Sequence, residues 1–384
     1  MKRLIAWLVL TSALLLTASA QGGHGTYAVT NLGSLGGTAS FGSSINDRGW
    51  IAGSSDLAGD QVQHAALWRG GVLTDLGTLG GPNSGVLWPV KNDRGVVTGI
   101  SQTAKADPLG ERWSCSAFFP APTAVGHQCL GFAWQNGVMR PLSTLGGTNG
   151  FATGANNRGE IVGWAENTVH DPTCVPPQVL QFRAVEWGPG PDEIRELPPL
   201  PGDTVSAATA LNSRGQVVGI SGICDRAVGR FSAIHAVLWQ DGHPVDLGSL
   251  GGVAWNTPMA IDDRGDVVGF ANATAAAGGS FDVHAFLWTK AAGMQDLGAL
   301  PGDTTSQALG VNDRGEIVGE SCDADFNCRA VIWHDGEIDD LNTQVESGYA
   351  GTLTTANDID ASGRITGQAF DPVTGAFVAF AARP

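Results

Sequence analysis

The chain has few basic residues: 21 lysines and arginines stand against 37 aspartates and glutamates, and the formal net charge is −16. So acidic a surface repels phosphate backbones and anionic lipids, which argues against nucleic acid and membrane surfaces as partners. Acidity is compatible with cations and neutral glycans, and it also keeps exported proteins dispersed. The expected partner is therefore a glycan or another protein.

Long hydrophobic runs are also missing beyond residues 1–20. Two basic residues precede the apolar stretch 4–16, which is followed by Ala18-Ser19-Ala20. This order is typical of a secretory signal peptide, and the stretch is too short for a comfortable membrane span. We expect cleavage after Ala20, no membrane insertion, and a secreted or periplasmic protein whose residues 21–384 form one domain.

Familiar catalytic motifs are missing as well. The chain has no Gly-x-Ser-x-Gly elbow, no His-Glu-x-x-His and no phosphate-binding glycine loop. Paired carboxylates, such as Glu166 with Asp171 or Asp225, keep a glycosidase or lyase open as an alternative. The sequence favours a protein that is not an enzyme.

Cysteine is sparse, with six residues, which suits disulfides in an oxidising compartment. No cysteine has the close histidine neighbours of a zinc site. Six cysteines allow 15 pairings, and the positions suggest two bridges within single loops and one between neighbouring loops. The expected bridges are Cys115–Cys129, Cys322–Cys328 and Cys174–Cys224.

What the chain has in abundance is one repeated motif. Asn46-Asp47-Arg48-Gly49 and the four residues after it recur at a spacing of roughly 50 residues. The motif therefore divides the chain into seven repeat units, which are numbered one to seven in chain order. The later copies begin at Asn92, Asn156, Asn212, Asp262, Asn312 and Asp360.

Each unit reads as two hairpins. In unit six, the stretch 306–311 is extended, Asn312 to Gly315 form a turn, and 316–319 run back. The asparagine side chain satisfies backbone donors as an Asx turn, and glycine takes the left-handed position. A second hairpin covers 329–341, so each unit has four short strands.

This pattern predicts an all-β fold, a seven-bladed β-propeller with four antiparallel strands per blade. Unit seven stops one strand short, and the stretch 27–33 matches a fourth strand, so we expect the N-terminal strand to close the last blade. A repeated tryptophan is expected to fill the space between sheets. Its copies are Trp68, Trp134, Trp187, Trp239, Trp288 and Trp333.

The triplet His284-Ala285-Phe286 before Leu287-Trp288, with Asp296-Leu297-Gly298 downstream, resembles the bacterial extracellular HAF-repeat family. Looser copies begin at His64 and His235. The resemblance covers essentially the whole mature chain and implies export and a propeller-like repeat, but no reaction. Because other units lack the histidine, we expect it to hydrogen-bond to a neighbouring turn or carboxylate.

The links from second to third strand vary greatly in length, and such loops on a rigid ring are where binding residues lie. Unit two departs most from the repeat, with Trp88 in place of a small residue and Lys91 in place of an apolar one. The candidate binding residues are Trp88, Lys91, Arg112, Trp113, His127, Asp203 and Asp303.

The segment Asp323-Ala324-Asp325-Phe326-Asn327 alternates oxygen ligands like the start of a calcium loop. It lacks the following glycine and distant glutamate of an EF-hand. Calcium, with Asp323, Asp325 and Asn327 as ligands, is therefore a weak possibility, and no other cofactor is expected.

The sequence as a whole favours a monomeric, exported binding scaffold that recognises a glycan or protein through its variable loops. A carbohydrate-active enzyme is the first alternative. A passive envelope or matrix component without a specific ligand is the second.

Overall fold

A computed structural model describes residues 26–111, 115–188, 193–226 and 228–384. The expected signal peptide and the candidate residues Arg112 and Trp113 lie outside these ranges.

Strand β1 (Ala28–Asn31) comes first, and each unit then contributes a run of strands. Units one to three contain β2 (Gly36–Ile45), β3 (Ile51–Leu57), β4 (Gln63–Arg69), β5 (Val72–Asp75), β6 (Gly80–Gly85), β7 (Val97–Ala106), β8 (His127–Gln135), β9 (Val138–Pro141), β10 (Gly146–Ala155), β11 (Ile161–His170), β12 (Leu180–Trp187) and β13 (Ile194–Leu197).

Units four to seven continue in the same way. Their strands are β14 (Val205–Leu211), β15 (Val217–Gly222), β16 (His235–Gln240), β17 (His243–Asp246), β18 (Thr257–Ile261), β19 (Val267–Asn272), β20 (Val283–Thr289), β21 (Gly293–Gly298), β22 (Thr305–Val311), β23 (Ile317–Cys322), β24 (Cys328–His334), β25 (Glu337–Asp340), β26 (Thr352–Ile359), β27 (Ile365–Asp371) and β28 (Ala376–Arg383).

Within the described ranges, units two to six each form a four-stranded antiparallel sheet. The remaining strands form an eight-stranded sheet in the order β26-β27-β28-β2-β3-β4-β5, with β1 antiparallel to β28. In the described ranges, the strand pairing that links its two parts is a parallel pair between Ala39 and Phe377. The chain is therefore all-β and rests on four-stranded antiparallel sheets, as the sequence predicted.

Helical structure is confined to short segments between strands. The described chain contains α1 (Cys115–Phe118) and three 3₁₀ helices, at Arg230–Ala233, Ala275–Ala277 and Leu341–Gln344.

The repeated motif forms the predicted Asx turn. In unit six, the Oδ1 atom of Asn312 accepts the amides of Arg314 and Glu316, both at 3.1 Å. The same pair of bonds occurs at the first turn residue of every unit. We call the side of the molecule that carries these turns the turn face.

A glycine seven residues after the start of each turn is required by close packing. In unit six a Cβ atom on Gly319 would collide with the carbonyl oxygen of Gln307, because the first strand bulges toward it between Ala308 and Gly310. This explains why the motif ends in glycine in all seven units.

Neighbouring units are joined through their turns, and the last unit is joined to the first. The turns surround a cavity of about 120 Å³, which we call the axial recess. The joining bonds are Asn46 Nδ2 to Asn92 O, Asp93 N to Asn157 Oδ1, Asn156 Nδ2 to Asn212 O, Asn212 Nδ2 to Asp262 O, Asp263 N to Asp313 Oδ1, Asn312 Nδ2 to Asp360 O, and Ala361 N to Asp47 Oδ1.

The repeated tryptophans lie in the core between units. Trp239 is 1% exposed and packs against Val162 and Leu197 of unit three, and its indole nitrogen donates to Pro198 O at 2.7 Å. Trp68, Trp187 and Trp333 are likewise buried and also donate to a carbonyl. Trp288 is only partly buried.

Candidate binding face

The surface opposite the turn face, which we call the loop face, carries the links from second to third strand and the links between units. All three predicted disulfides are present there: Cys115–Cys129 in unit two, Cys174–Cys224 between units three and four, and Cys322–Cys328 in unit six. Bridges of this kind suit an oxidising compartment. They limit how far the links can move.

Trp88 is partly buried. Its ring packs edge-on against Phe118, Phe151 and Trp164, with centroid distances of 5.7, 5.3 and 5.8 Å. It also packs against the cluster around Phe270, so a side chain of unit two contacts residues of unit five. These contacts give Trp88 a packing role, and its contact with a ligand stays a prediction.

Lys91 is found on the other side of the molecule from its expected position. It directly precedes the turn of unit two and lines the axial recess, not the loop face. Its Nζ atom forms an ion pair with the buried Asp358 and donates to Ile359 O at 2.7 Å. Burial raises the pKa of Asp358, and the ammonium group of Lys91 opposes that rise. Lys91 therefore compensates an internal charge.

Two carboxyl groups meet beneath the loops of units two and three. Glu111, in the long link after β7, accepts the amides of Val179 and Leu180 at 2.7 and 2.8 Å. Glu166 of β11 accepts the amide of Asn149 at 2.9 Å. The side-chain amide of Gln178 donates to both carboxyl groups, at 3.2 and 3.0 Å. The long link of unit two is thereby fixed to unit three.

This pair holds a proton more tightly than ordinary carboxylates do. Burial, followed by repulsion from Glu111, raises the pKa of Glu166 to about 7. Burial also raises the pKa of Glu111, which hydrogen-bonds to Glu166. Since two buried like charges repel, the pair is most stable when it shares one proton.

The expected pairing of Glu166 with Asp171 or Asp225 is not what the structure contains. Glu166 is 0% exposed and pairs with Glu111, while the carboxylate of Asp171 accepts from Thr173 Oγ1 at 2.6 Å. A glycosidase needs two carboxyl groups that flank a sugar in an open cleft. Buried carboxyl groups in mutual contact do not provide one.

Asp203 and Asp303 occupy matching positions in the links before β14 and β22. Asp203 accepts from Ser221 Oγ at 2.6 Å and pairs with His235 Nδ1 at 2.9 Å. Asp303 accepts from Ser321 Oγ at 2.7 Å and pairs with Arg329 at 2.8 Å. Both aspartates therefore fix a link to the sheet behind it.

The histidines of the repeated triplet make the expected carboxylate contacts. His64 pairs with Asp75 and His284 with Asp296, each at 2.9 Å. The hydrogen bond to Asp296 raises the pKa of His284. His127, expected to bind a ligand, instead contacts Thr103 O through Nδ1 at 3.0 Å.

The proposed calcium ligands form a turn of their own. The Oδ1 atom of Asp323 accepts the amides of Asp325 and Asn327 at 2.9 and 3.0 Å. The side-chain and backbone hydrogen bonds from Asn327 lower the pKa of Asp323. The nearby sulfur atoms of Cys322 and Cys328 are bonded to each other, so they are not ligands. Calcium binding stays a prediction.

One loop-face cavity adjoins the link between units six and seven. It has a volume of about 400 Å³ and we call it the loop recess. Arg329 lines it and joins Asp303 to Asp340, at 2.8 and 3.4 Å. The hydroxyl of Tyr349 donates to Asn31 Oδ1 at 2.7 Å. Burial raises the pKa of Tyr349 to about 12, so it remains a hydrogen-bond donor at neutral pH.

The sequence analysis missed the loop recess, although a signal was present. The link 341–351 is longer than links such as 76–79 and 142–145, and Tyr349 is one of only two tyrosines in the chain. Of the predicted binding residues that the structure describes, Asp303 is the one connected to the recess, through Arg329.

None of the helices in the described ranges has the length and apolarity that a membrane span requires.

No protein-family model matches the chain, and no curated protein matches it. Among solved structures, the chain is similar to the Pyrococcus horikoshii acylaminoacyl peptidase, at 10% identity and a TM-score of 0.43, over 86% of this chain and 49% of that one. It is also similar to a putative TolB from Agrobacterium tumefaciens, at 11% identity and a TM-score of 0.36, over 68% of this chain and 85% of that one. A third similar structure is AofleA from Arthrobotrys oligospora, at 11% identity and a TM-score of 0.38, over 84% of this chain and 92% of that one.

Proposed function

We propose that the chain is an exported, monomeric seven-bladed β-propeller of the HAF-repeat type that binds a glycan or protein through its loop face. Support for the architecture comes from seven units whose turns are hydrogen-bonded in sequence, with Ala361 of unit seven bonded to Asp47 of unit one. The pairing of β1 with β28 supplies unit seven with a fourth strand. A closed ring leaves no open sheet edge.

The observation that carries the binding role is the fixed conformation of the loop face. Cys174–Cys224 bridges two neighbouring links, and Glu111 bonds a third link to the backbone at Val179. Loops that are held before binding lose less conformational entropy when a ligand arrives. The loop recess offers a cavity with a cation and hydrogen-bond donors on this surface.

The test is a glycan array of defined polysaccharides probed with the full chain. The variants are Ser347→Trp, which fills the loop recess, and Glu346→Arg, which reverses a charge at its exposed rim. We expect a bound glycan to be retained by the parent and weakened about tenfold or more by Ser347→Trp. The matched control is Glu337→Arg, at an exposed position on the turn face.

Two results would count against this proposal. Equal binding by the parent and both recess variants would remove the loop recess from the site. A blank array would favour the passive envelope component. Turnover of a printed polysaccharide would instead support the enzyme alternative.

A further inference from the structure

The turns of units three, five and six neutralise their own arginine. The third turn residue is arginine, and an acidic residue follows two positions later. The resulting ion pairs are Arg158–Glu160 at 2.7 Å, Arg264–Asp266 at 3.1 Å and Arg314–Glu316 at 2.5 Å.

Units one and two break this rule side by side. Trp50 and Val96 stand where units three, five and six have an acid, so Arg48 and Arg94 lack that partner. In the described ranges no ion pair joins either arginine to a carboxylate. A third arginine, Arg69 at the end of β4, also forms no ion pair with a carboxylate in the described ranges. Three arginines without a carboxylate partner therefore lie close together at the junction of units one and two.

Two of these arginines lie over the indole of Trp50. The guanidinium carbons of Arg48 and Arg69 lie 5.6 and 4.9 Å from the centroid of its ring. The indole packs closely against Gly95 of unit two, since a Cβ atom added to this glycine would lie only 2.9 Å from the ring. The backbone amide of Trp50 is bonded to Asn46 Oδ1 at 3.0 Å, so the platform is fixed in the fold.

A cavity of about 340 Å³ lies at this junction, and we call it the arginine groove. Its lining includes Trp50, Arg69, Thr74, Arg94 and Asn136. The acidic residues of the same two turns, Asp47 and Asp93, line the axial recess.

We propose that the arginine groove binds an anionic group carried by a polysaccharide. A guanidinium that rests on an indole keeps its N–H edge free, and that edge matches the two oxygens of a carboxylate or sulfate. The indole, with the polar side chains of Thr74 and Asn136, provides the mixed apolar and hydrogen-bonding lining that suits a sugar ring. The groove is on the turn face, so this site is separate from the loop recess.

The chain itself supplies the sharpest variant. Trp50→Glu gives unit one the acid found in units three and six, so Arg48 is expected to pair as Arg158 and Arg314 do while the turn still folds. Arg69→Gln removes one charge from an exposed strand end. The matched control is Arg214→Gln, an exposed turn arginine of unit four that also has no acidic partner, because Gln216 follows it.

Binding is measured by calorimetry with polygalacturonate as the carboxylate polymer and dextran sulfate as the sulfate polymer. We expect at least one of them to bind, and Trp50→Glu and Arg69→Gln each to weaken that binding by about tenfold or more. Arg214→Gln is expected to bind as the parent does. Thermal melts establish that all variants are folded, and the polymer that binds more tightly identifies the anion.

Three outcomes would overturn the proposal. The first is that the parent binds neither polymer, the second is that Arg214→Gln weakens binding as much as the groove variants do, and the third is that the parent binds uncharged dextran as tightly as the charged polymers. Polyglutamate that binds as tightly as the polysaccharides would show that the groove recognises an acidic peptide. Because the loop-recess variants Ser347→Trp and Glu346→Arg leave this groove unchanged, failure here is distinct from failure of the loop-face proposal.

Discussion

The turn face and the loop face of this chain are held together in different ways. On the turn face one arrangement is used in all seven units, as when Asn312 accepts the amides of Arg314 and Glu316. On the loop face several contacts occur in one unit only, as when Glu111 accepts the amide of Val179. The repeated face is a frame, and the other face carries individual features.

The difference indicates where substitutions are tolerated. A repeated bond is one of several equivalent links between units, so its loss leaves the others in place. A contact that occurs once has no substitute, and its loss releases the link that it holds. Departures from the repeat on the turn face, such as Trp50, are therefore informative, because the frame does not need them.

The largest effect is expected in the core that both faces share. Trp239→Ala removes a ring that is 1% exposed and packs against unit three, and we expect a loss of about 3–5 kcal/mol in the free energy of unfolding. Trp288→Ala, at a partly exposed ring, should have a smaller effect. Chemical denaturation measures both. Equal losses would mean that burial between units does not set the stability of the frame.

The next largest effect concerns the loop face. The double variant Cys174→Ser with Cys224→Ser opens a bridge of sequence separation 50, and we expect it to lose about 4 kcal/mol. The corresponding change at Cys322 and Cys328 opens a bridge of separation 6 and should lose about 2 kcal/mol. Denaturant titration of both variants tests the order, and the reverse order would contradict it.

A single turn should matter less. Asn312→Ala removes the acceptor for two amides and the donor to Asp360 O, and we expect a loss of about 1–3 kcal/mol. Asn312→Asp keeps the acceptor, as Asp262 and Asp360 do in their units, and should lose less. A loss for Asn312→Ala as large as that for Trp239→Ala would show that the turns are not interchangeable links.

The frame was predictable from the sequence because its parts are local and repeated. The Asx turn needs only Asn312 and the next four residues, and seven copies made the pattern unmistakable. The requirement for glycine at position 319 could be recognised in the sequence for the same reason, since a glycine stands at this position in every unit. The disulfides followed from cysteine positions in links that the strand pattern had already defined.

The individual features were not predictable, because they join residues that are far apart in the chain. Lys91 was noticed as unusual, but its partner Asp358 comes from unit seven. Trp88 was noticed as large, but the cluster that it packs against contains Phe270 of unit five, which is far away along the chain. Glu111 lies in the longest link, whose path no periodic pattern describes.

The smallest effect tests the carboxyl pair beneath the loop face. The pKa of Glu166 is raised to about 7, so the folded chain holds a proton that the unfolded chain releases near the ordinary glutamate pKa. That contribution to stability is complete below the unfolded pKa and is lost as the pH rises through 7. Between about pH 6 and about pH 8 the loss amounts to about 1 kcal/mol.

Glu166→Gln replaces the protonated acid with an amide that does not titrate. Its unfolding free energy should therefore fall by about 1 kcal/mol less than that of the parent over the same pH interval. The raised pKa of Asp56, about 6, contributes to the slope of both proteins, so it cancels in the difference, which reports the carboxyl pair of Glu111 and Glu166. Glu337→Gln, at an exposed carboxylate, should follow the parent. A parallel pH profile for Glu166→Gln and the parent would mean that no proton is shared beneath the loop face.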